Sequence, residues 1–118
     1  MKINIKYVKD AGDIKKERIV LKVISDDDAG NYMLADTTYL EDGSISNKLR
    51  HIYWIPDQVV NADDLVVAYT KEGEDSKKNN KNGTTTYFFY WGLDRTVWNK
   101  EGDGAVLFSI KDWVATQV

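Results

Sequence analysis

Apolar and polar residues alternate along most of this chain, and turn-forming residues interrupt the alternation at short intervals. Ile3, Ile5 and Tyr7 alternate with polar neighbours, which predicts a strand with one face toward solvent. Further strands are predicted at residues 19–24, 32–35, 51–55, 65–70, 87–91, 96–98 and 105–110. No window of helical length repeats apolar residues at i, i+3 and i+4. About eight short strands therefore predict an all-β sandwich or barrel with antiparallel strands.

Turn residues mark the ends of these strands. The Glu41-Asp42-Gly43-Ser44 stretch predicts a turn, because glycine adopts positive φ and aspartate bonds nearby backbone. Pro56, the single proline, cannot donate a ladder hydrogen bond, so it is expected at a strand end or a sheet edge. The polar segment 71–84 contains no large apolar residue. It predicts a mobile hairpin loop or insertion that is dispensable for folding.

Length and composition restrict the classes of protein. A chain of 118 residues is sufficient for one domain spanning residues 1–118, and it is short for a two-domain enzyme. The absence of cysteine excludes disulfides, thiolate nucleophiles and zinc ribbons. No run of 18 apolar residues occurs, so no membrane-spanning helix is predicted. The alternating start is unlike a signal peptide, which predicts a cytoplasmic protein if the chain is complete and a secreted one if a signal was removed.

Charge is unevenly distributed. Residues 1–22 carry seven Lys and Arg against three Asp and Glu, whereas residues 23–64 carry two against nine. This asymmetry fits either complementary patches or ordinary solvated faces. The formal net charge of −3 argues against a dedicated nucleic-acid binder.

Three pieces of the sequence, in this order and spacing, resemble the lamin-tail domains of nuclear lamins and many bacterial proteins. They are residues 19–36, ending in NYMLAD at 31–36, then YWIP at 53–56 followed nine residues later by LVV at 65–67, and WNKEGD at 98–103 leading into AVL at 105–107. The resemblance spans roughly residues 17–110. It departs from the family pattern at residues 61–64, where NADD replaces the usual Pro-Gly, and at the polar segment 71–84.

The resemblance implies an immunoglobulin-like sandwich of about seven to nine strands. It also implies a module that contacts proteins, and sometimes nucleic acids, without catalysing a reaction. The last piece has a mechanical interpretation as well. Trp98 would end one strand as a core ring, and Gly102 with Asp103 would form the turn into the next strand.

Catalytic and metal sites have little support in the sequence. His51 is the single histidine, and none of the serines lies in a G-x-S-x-G elbow, so no catalytic residue and no enzyme activity is predicted. Asp26, Asp27, Asp28 and Asn31 carry hard oxygen ligands, yet they lack the spacing of a calcium loop, and such residues are turn formers. No phosphate or dinucleotide motif occurs, so no cofactor is expected.

Aromatic residues, 12% of the chain, are the unusual feature. Tyr87 and Phe89 would lie on one face of their strand, and Phe88 and Tyr90 on the other, so some rings are expected to be exposed. Trp54, Phe88 and Tyr90 are the candidate binding residues. The first hypothesis is a protein partner, which buried rings and a long unpaired edge strand would favour. The alternative is a carbohydrate, which an exposed coplanar row of rings would favour.

Overall fold

Ten β-strands form the regular structure of residues 1–99 and 101–118, the part of the chain that the computed structural model describes. The strands are β1 (Ile3–Lys9), β2 (Arg18–Val23), β3 (Asp27–Asp28), β4 (Tyr32–Thr38), β5 (Ile52–Trp54), β6 (Val59–Val60), β7 (Leu65–Tyr69), β8 (Ser76–Asn79), β9 (Thr85–Tyr90) and β10 (Asp103–Ser109). One 3-10 turn, Ala29–Asn31, precedes β4. The predicted all-β class is confirmed. Within the described ranges, no helix has the length and apolar content needed to cross a membrane.

The strands form two main sheets and one short pair. The large sheet has the order β1-β2-β7-β9-β8, and the small sheet has the order β10-β4-β5. Strands β3 and β6 pair separately, over two residues each. The inward-facing residues of both main sheets share one apolar core, which includes Leu21, Val66 and Phe89 of the large sheet and Tyr32 and Leu34 of the small sheet.

The prediction that all strands are antiparallel is wrong at one pair. Strands β7 and β9 are parallel, with Leu65 opposite Thr86 and Tyr69 opposite Tyr90. A parallel pair needs a crossover of a dozen or more residues, and residues 70–84 between the two strands have that length. The polar segment therefore returns the chain to the start of the sheet, so that β9 can run in the same direction as β7. Hydropathy gave no sign of this, because alternation is the same for both strand directions.

The polar segment also contributes a strand. Strand β8 pairs antiparallel with β9, from Ser76 opposite Phe88 to Asn79 opposite Thr85, and all four of its residues are exposed. A tight turn joins the two strands, since the amide of Asn80 donates to the Thr84 carbonyl at 2.8 Å. The segment is therefore not the loop of a hairpin between the two flanking strands, which run parallel; it forms a hairpin with β9 instead, and its predicted mobility stays a prediction.

The predicted strand at 96–98 is wrong, because the backbone there bonds to a buried carboxylate. Glu17 is fully buried, and its Oε2 accepts hydrogen bonds from the Val97 amide at 2.9 Å and the Thr70 hydroxyl at 2.6 Å. Its Oε1 accepts from the Gly12 amide at 2.8 Å and the Trp98 amide at 3.3 Å. One side chain thus ties the turn after β1, the end of β7 and the loop before β10 together.

Two local predictions hold. The turn at 41–44 has Gly43 at a φ of 84°, and the Asp42 carboxylate accepts from the Ser44 amide at 3.0 Å, as aspartate does in such turns. Strand β5 ends at Trp54, two residues before Pro56, in agreement with the predicted strand end.

Candidate interaction surface

The outward side of the small sheet is apolar. Because side chains alternate along a strand, the residues beside the inward-facing Leu34 and Tyr53 point away from the core. These outward residues form two rows across the three strands, which together we call the outer face. The rows are Ile52, Ala35 and Val106, and Trp54, Met33 and Phe108.

Solvent reaches most of the outer face. Ile52 is 53% exposed and Trp54 is 44% exposed, while Met33, Val106 and Phe108 are half-buried. Ala35, in the middle of the first row, is fully buried, so the exposed apolar area lies on β5 and on the half-buried residues of β4 and β10. An apolar sheet face of this kind, two rows deep, is unusual on a protein that has no partner.

The outer face is extended at the Gly104 end of β10. The ring of Tyr39 lies so close to Gly104 that a Cβ there would sit 2.9 Å from the ring. Tyr39 is itself 53% exposed, and nearby Ile45 forms a single bridge with it. Apolar surface therefore continues past the first row toward the 40–45 turn.

Trp54 also forms one wall of a cleft at the opposite end of the small sheet. Its indole Nε1 donates to the Gly30 carbonyl at 2.8 Å, which fixes the ring. The ring of Trp113, from the segment after β10, meets it at a centroid distance of 5.0 Å and an angle of 88°. The cleft has a volume of about 530 Å³, and Asn31 and Asp57 supply its polar groups.

The other two candidate residues, Phe88 and Tyr90, lie elsewhere. They are half-buried on the outward side of the large sheet, so the sequence-predicted set of Trp54, Phe88 and Tyr90 does not form one surface. Tyr90 stacks on Tyr69 at 5.3 Å and 10°, and a Cβ on Gly73 would meet the Tyr90 ring at 2.4 Å. Phe88 is tilted by 34° against Tyr69, and the Tyr90 ring is covered by Tyr69 and Gly73, so the rings do not present a flat platform.

His51 is hydrogen-bonded to the buried carboxylate of Asp36. Its Nδ1 lies 3.0 Å from Asp36 Oδ1, and its backbone amide donates to the same oxygen at 2.7 Å. Arg50 bridges Asp36, at 3.5 Å, and Asp103, at 2.8 Å. In the described part of the chain no serine hydroxyl bonds to the His51 ring, so the histidine lacks the partner that acyl transfer needs.

The residues to which the sequence assigns structural roles, Trp98, Gly102 and Asp103, take part in core packing and in the turn before β10. Trp98 is 3% exposed and contacts Trp91 at a centroid distance of 6.1 Å, and Gly102 has a φ of 74°, so the predicted burial and backbone geometry are observed. Asp103 accepts from the Asn99 amide at 2.8 Å. Lys100, within the same motif, lies outside the described residues.

The carboxylates of Asp26, Asp27 and Asp28 each accept hydrogen bonds from nearby groups of the chain. Asp27 accepts from the Tyr32 hydroxyl at 2.6 Å, Asp28 from the Gly30 amide at 2.8 Å, and Asp26 from the Ala62 amide at 2.8 Å. Burial acts to raise the pKa of Asp27, but the bonds from Tyr32, Asp28 and Asn31, with Lys2 nearby, outweigh it and lower that pKa. Across residues 1–99 and 101–118, no group of three His, Asp or Glu side chains is arranged to hold a metal ion.

Ile52, Val106, Phe108 and Trp113 were not singled out from the sequence. The available signal was that the runs IYWI at 52–55 and AVLF at 105–108 are apolar on both faces. Such runs suit a strand in the middle of a sheet, yet β5 and β10 are edge strands with one face uncovered.

Comparison with known proteins found no match among protein-family models, curated proteins or solved structures.

Proposed function

We propose that this domain is a non-enzymatic interaction module that binds a protein partner through the outer face. The observation that carries the proposal is the pair of cross-strand apolar rows, with Ile52 and Trp54 about half exposed. Covering such a face with an apolar surface of a partner would release water from both, at about 25 cal/mol per Å² buried. Trp54 suits an anchor, because interface energy concentrates in large aromatic residues held in a fixed orientation.

The sequence resemblance supports the same class of function. Lamin-tail domains are immunoglobulin-like modules that contact other macromolecules, and the NYMLAD, YWIP and AVL pieces that carry the resemblance supply most of the outer face. We therefore propose membership of that family and an immunoglobulin-like sandwich as the finer description of the fold. The parallel pair of β7 and β9 in the large sheet departs from the antiparallel sheets of an immunoglobulin-like sandwich.

The test begins with affinity capture from the protein's natural source and identification of the captured protein. Binding of the purified partner is then measured by calorimetry with the wild-type domain and with Ile52→Lys, which places a charge in the first row. Tyr7→Lys is the matched control, because Tyr7 is 45% exposed on β1 of the large sheet. We expect Ile52→Lys to weaken binding at least tenfold, which corresponds to about 1.4 kcal/mol.

Equal binding by both variants would contradict the proposal, provided that circular dichroism shows both to be folded. Loss of binding by Tyr7→Lys alone would move the interface to the large sheet.

A carbohydrate ligand is the second candidate, and the cleft between Trp54 and Trp113 is the observation that favours it. An indole face can stack on a sugar ring, and the Asn31 amide can donate to or accept from sugar hydroxyls, while the Asp57 carboxylate can accept from them. The perpendicular rings differ from a coplanar platform, which is why this function is placed second. Trp113→Ala tests it, because a 67% exposed ring can be removed without disturbing the core. A glycan that binds the wild type and not this variant would favour the carbohydrate.

A further inference from the structure

Each main sheet ends in two edge strands, and edge strands invite pairing with another chain unless they are protected. On the large sheet, β1 carries Lys6 and Lys9 and is irregular between Ile5 and Tyr7. Strand β8 carries Lys77 and Lys78, and all of its residues are exposed and polar. Lysines and irregular register are the usual protections of an edge, so neither of these edges is suited to pairing.

The small sheet differs at its two edges. Strand β5 has only three residues and is followed closely by Pro56, so it offers little backbone to a partner. Strand β10 has seven residues, an unbroken register with β4, and neither charge nor proline from residue 104 to residue 109. Among the described strands, only β4 pairs with it. Strand β10 is therefore a long edge without the usual protections.

Two backbone hydrogen bonds identify the free groups on β10. The Tyr39 amide donates to the Gly102 carbonyl at 2.7 Å, and the Ile110 amide donates to the Asn31 carbonyl at 2.7 Å. In an antiparallel ladder the bonding residues alternate, so even-numbered β10 residues bond to β4. The amides and carbonyls of Ala105 and Leu107 consequently point toward the open edge.

We propose that β10 pairs antiparallel with β10 of a second copy of this chain, about a two-fold axis at Val106. In this register Ala105 exchanges backbone hydrogen bonds with Leu107 of the second copy, and the two small sheets join into one of six strands. Val106 would face its own counterpart. Phe108 would lie opposite Gly104 of the second copy, where it would meet the exposed Tyr39 ring that covers this glycine.

A second copy is favoured over a foreign strand because β10 complements itself: Phe108 and the Gly104 position covered by the Tyr39 ring are equally distant from Val106, so each Phe108 would meet a Tyr39 ring. The segment after β10 leaves the edge open, since Trp113 contacts Trp54 on β5 at the other side of the small sheet. This pairing uses the edge of the sheet, whereas the proposed partner site uses its outer face. The two proposals can therefore fail independently.

The test is sedimentation velocity over a dilution series from about 1 mM to 1 µM, the range of weak association. We expect a concentration-dependent dimer of the wild type. Val106→Lys and Val106→Glu each place like charges opposite one another across the axis, so each variant alone should dissociate at least tenfold more readily. An equimolar mixture of the two should dimerise again, because opposite charges then meet.

Two further variants keep the result interpretable. Ala105→Pro removes an amide that points to the open edge, so it should abolish the dimer without removing a bond to β4. Ile52→Lys is the control, and it should dimerise like the wild type even if it loses the protein partner. A wild type that stays monomeric at the highest concentration overturns the proposal. A mixture of Val106 variants that stays monomeric overturns it too, as does a dimer that Ile52→Lys abolishes.

Discussion

Replacing the buried carboxylate of Glu17 is expected to be among the most destabilising single changes in this chain. Its oxygens accept four hydrogen bonds, from the Gly12, Val97 and Trp98 amides and from the Thr70 hydroxyl. No cation pairs with it among the described residues. The carboxylate therefore satisfies donors from three distant segments, and the loop before β10 depends on it for its position.

The magnitude follows from the donors that would be left without a partner. Glu17→Ala leaves the Thr70 hydroxyl and the Val97 and Trp98 amides unsatisfied, each at about 1–3 kcal/mol, while the Gly12 amide is near enough to solvent to be rehydrated. Relief of the buried charge offsets part of this, so we expect a net loss of about 3–6 kcal/mol. Glu17→Gln retains the size but turns an NH2 group toward backbone amides, and we expect about 2–4 kcal/mol.

The assay is urea unfolding followed by tryptophan fluorescence, which reports on Trp98 beside the carboxylate. Thr70→Val removes one donor and leaves three, so about 1–2 kcal/mol is expected. Glu41→Ala is the control, since Glu41 is exposed and its loss should change the unfolding free energy by less than about 0.5 kcal/mol. A Glu17→Ala variant within about 1 kcal/mol of the wild type would refute this reasoning.

Four further predictions concern stability. Trp98→Ala should cost about 3–5 kcal/mol in urea unfolding because the ring is buried, and Gly102→Val should destabilise because its φ is 74°. Since the pKa of Asp27 is lowered from 3.8 in the folded state, stability should fall as the pH drops from about 3.8 through that lower pKa. Tyr32→Phe removes a bond that lowers it, so unfolding measured from about pH 7 to about pH 2 should show a smaller fall. The polar segment is predicted from hydropathy to be dispensable, but the presence of strand β8 leads to the opposite expectation: replacing residues 74–82 by a short glycine turn should cost more than about 1 kcal/mol. An unchanged urea midpoint would show that β8 adds nothing and that the segment is dispensable.

Alternation predicted the strands that bury one apolar face, and it could not predict the others. Strand β8, with the sequence SKKN, buries no side chain and is held by backbone bonds to β9, so its hydropathy resembles that of a loop. Conversely, Val97 and Trp98 are apolar and buried but form no strand, because their amides donate to Glu17. Such long-range hydrogen bonds leave no periodic signal in the sequence.

The candidate surface was predictable only in part. Trp54 was identified as a binding residue, and it does lie on the outer face. Phe88 and Tyr90 belong to a strand that is aromatic on both faces, and its place between β7 and β8 covers much of each ring. The order of strands in a sheet decides which apolar runs become edges, and local pattern does not determine that order.

The most direct test of the proposed interaction module is an NMR titration of the isotope-labelled 13.5 kDa domain with its captured partner. We predict that amide shifts change mainly in β4, β5 and β10, with the side-chain signals of Ile52 and Trp54 among the most affected. Shifts confined to β2, β7 and β9, or none at a saturating partner concentration, would contradict the proposal that the outer face is the binding surface.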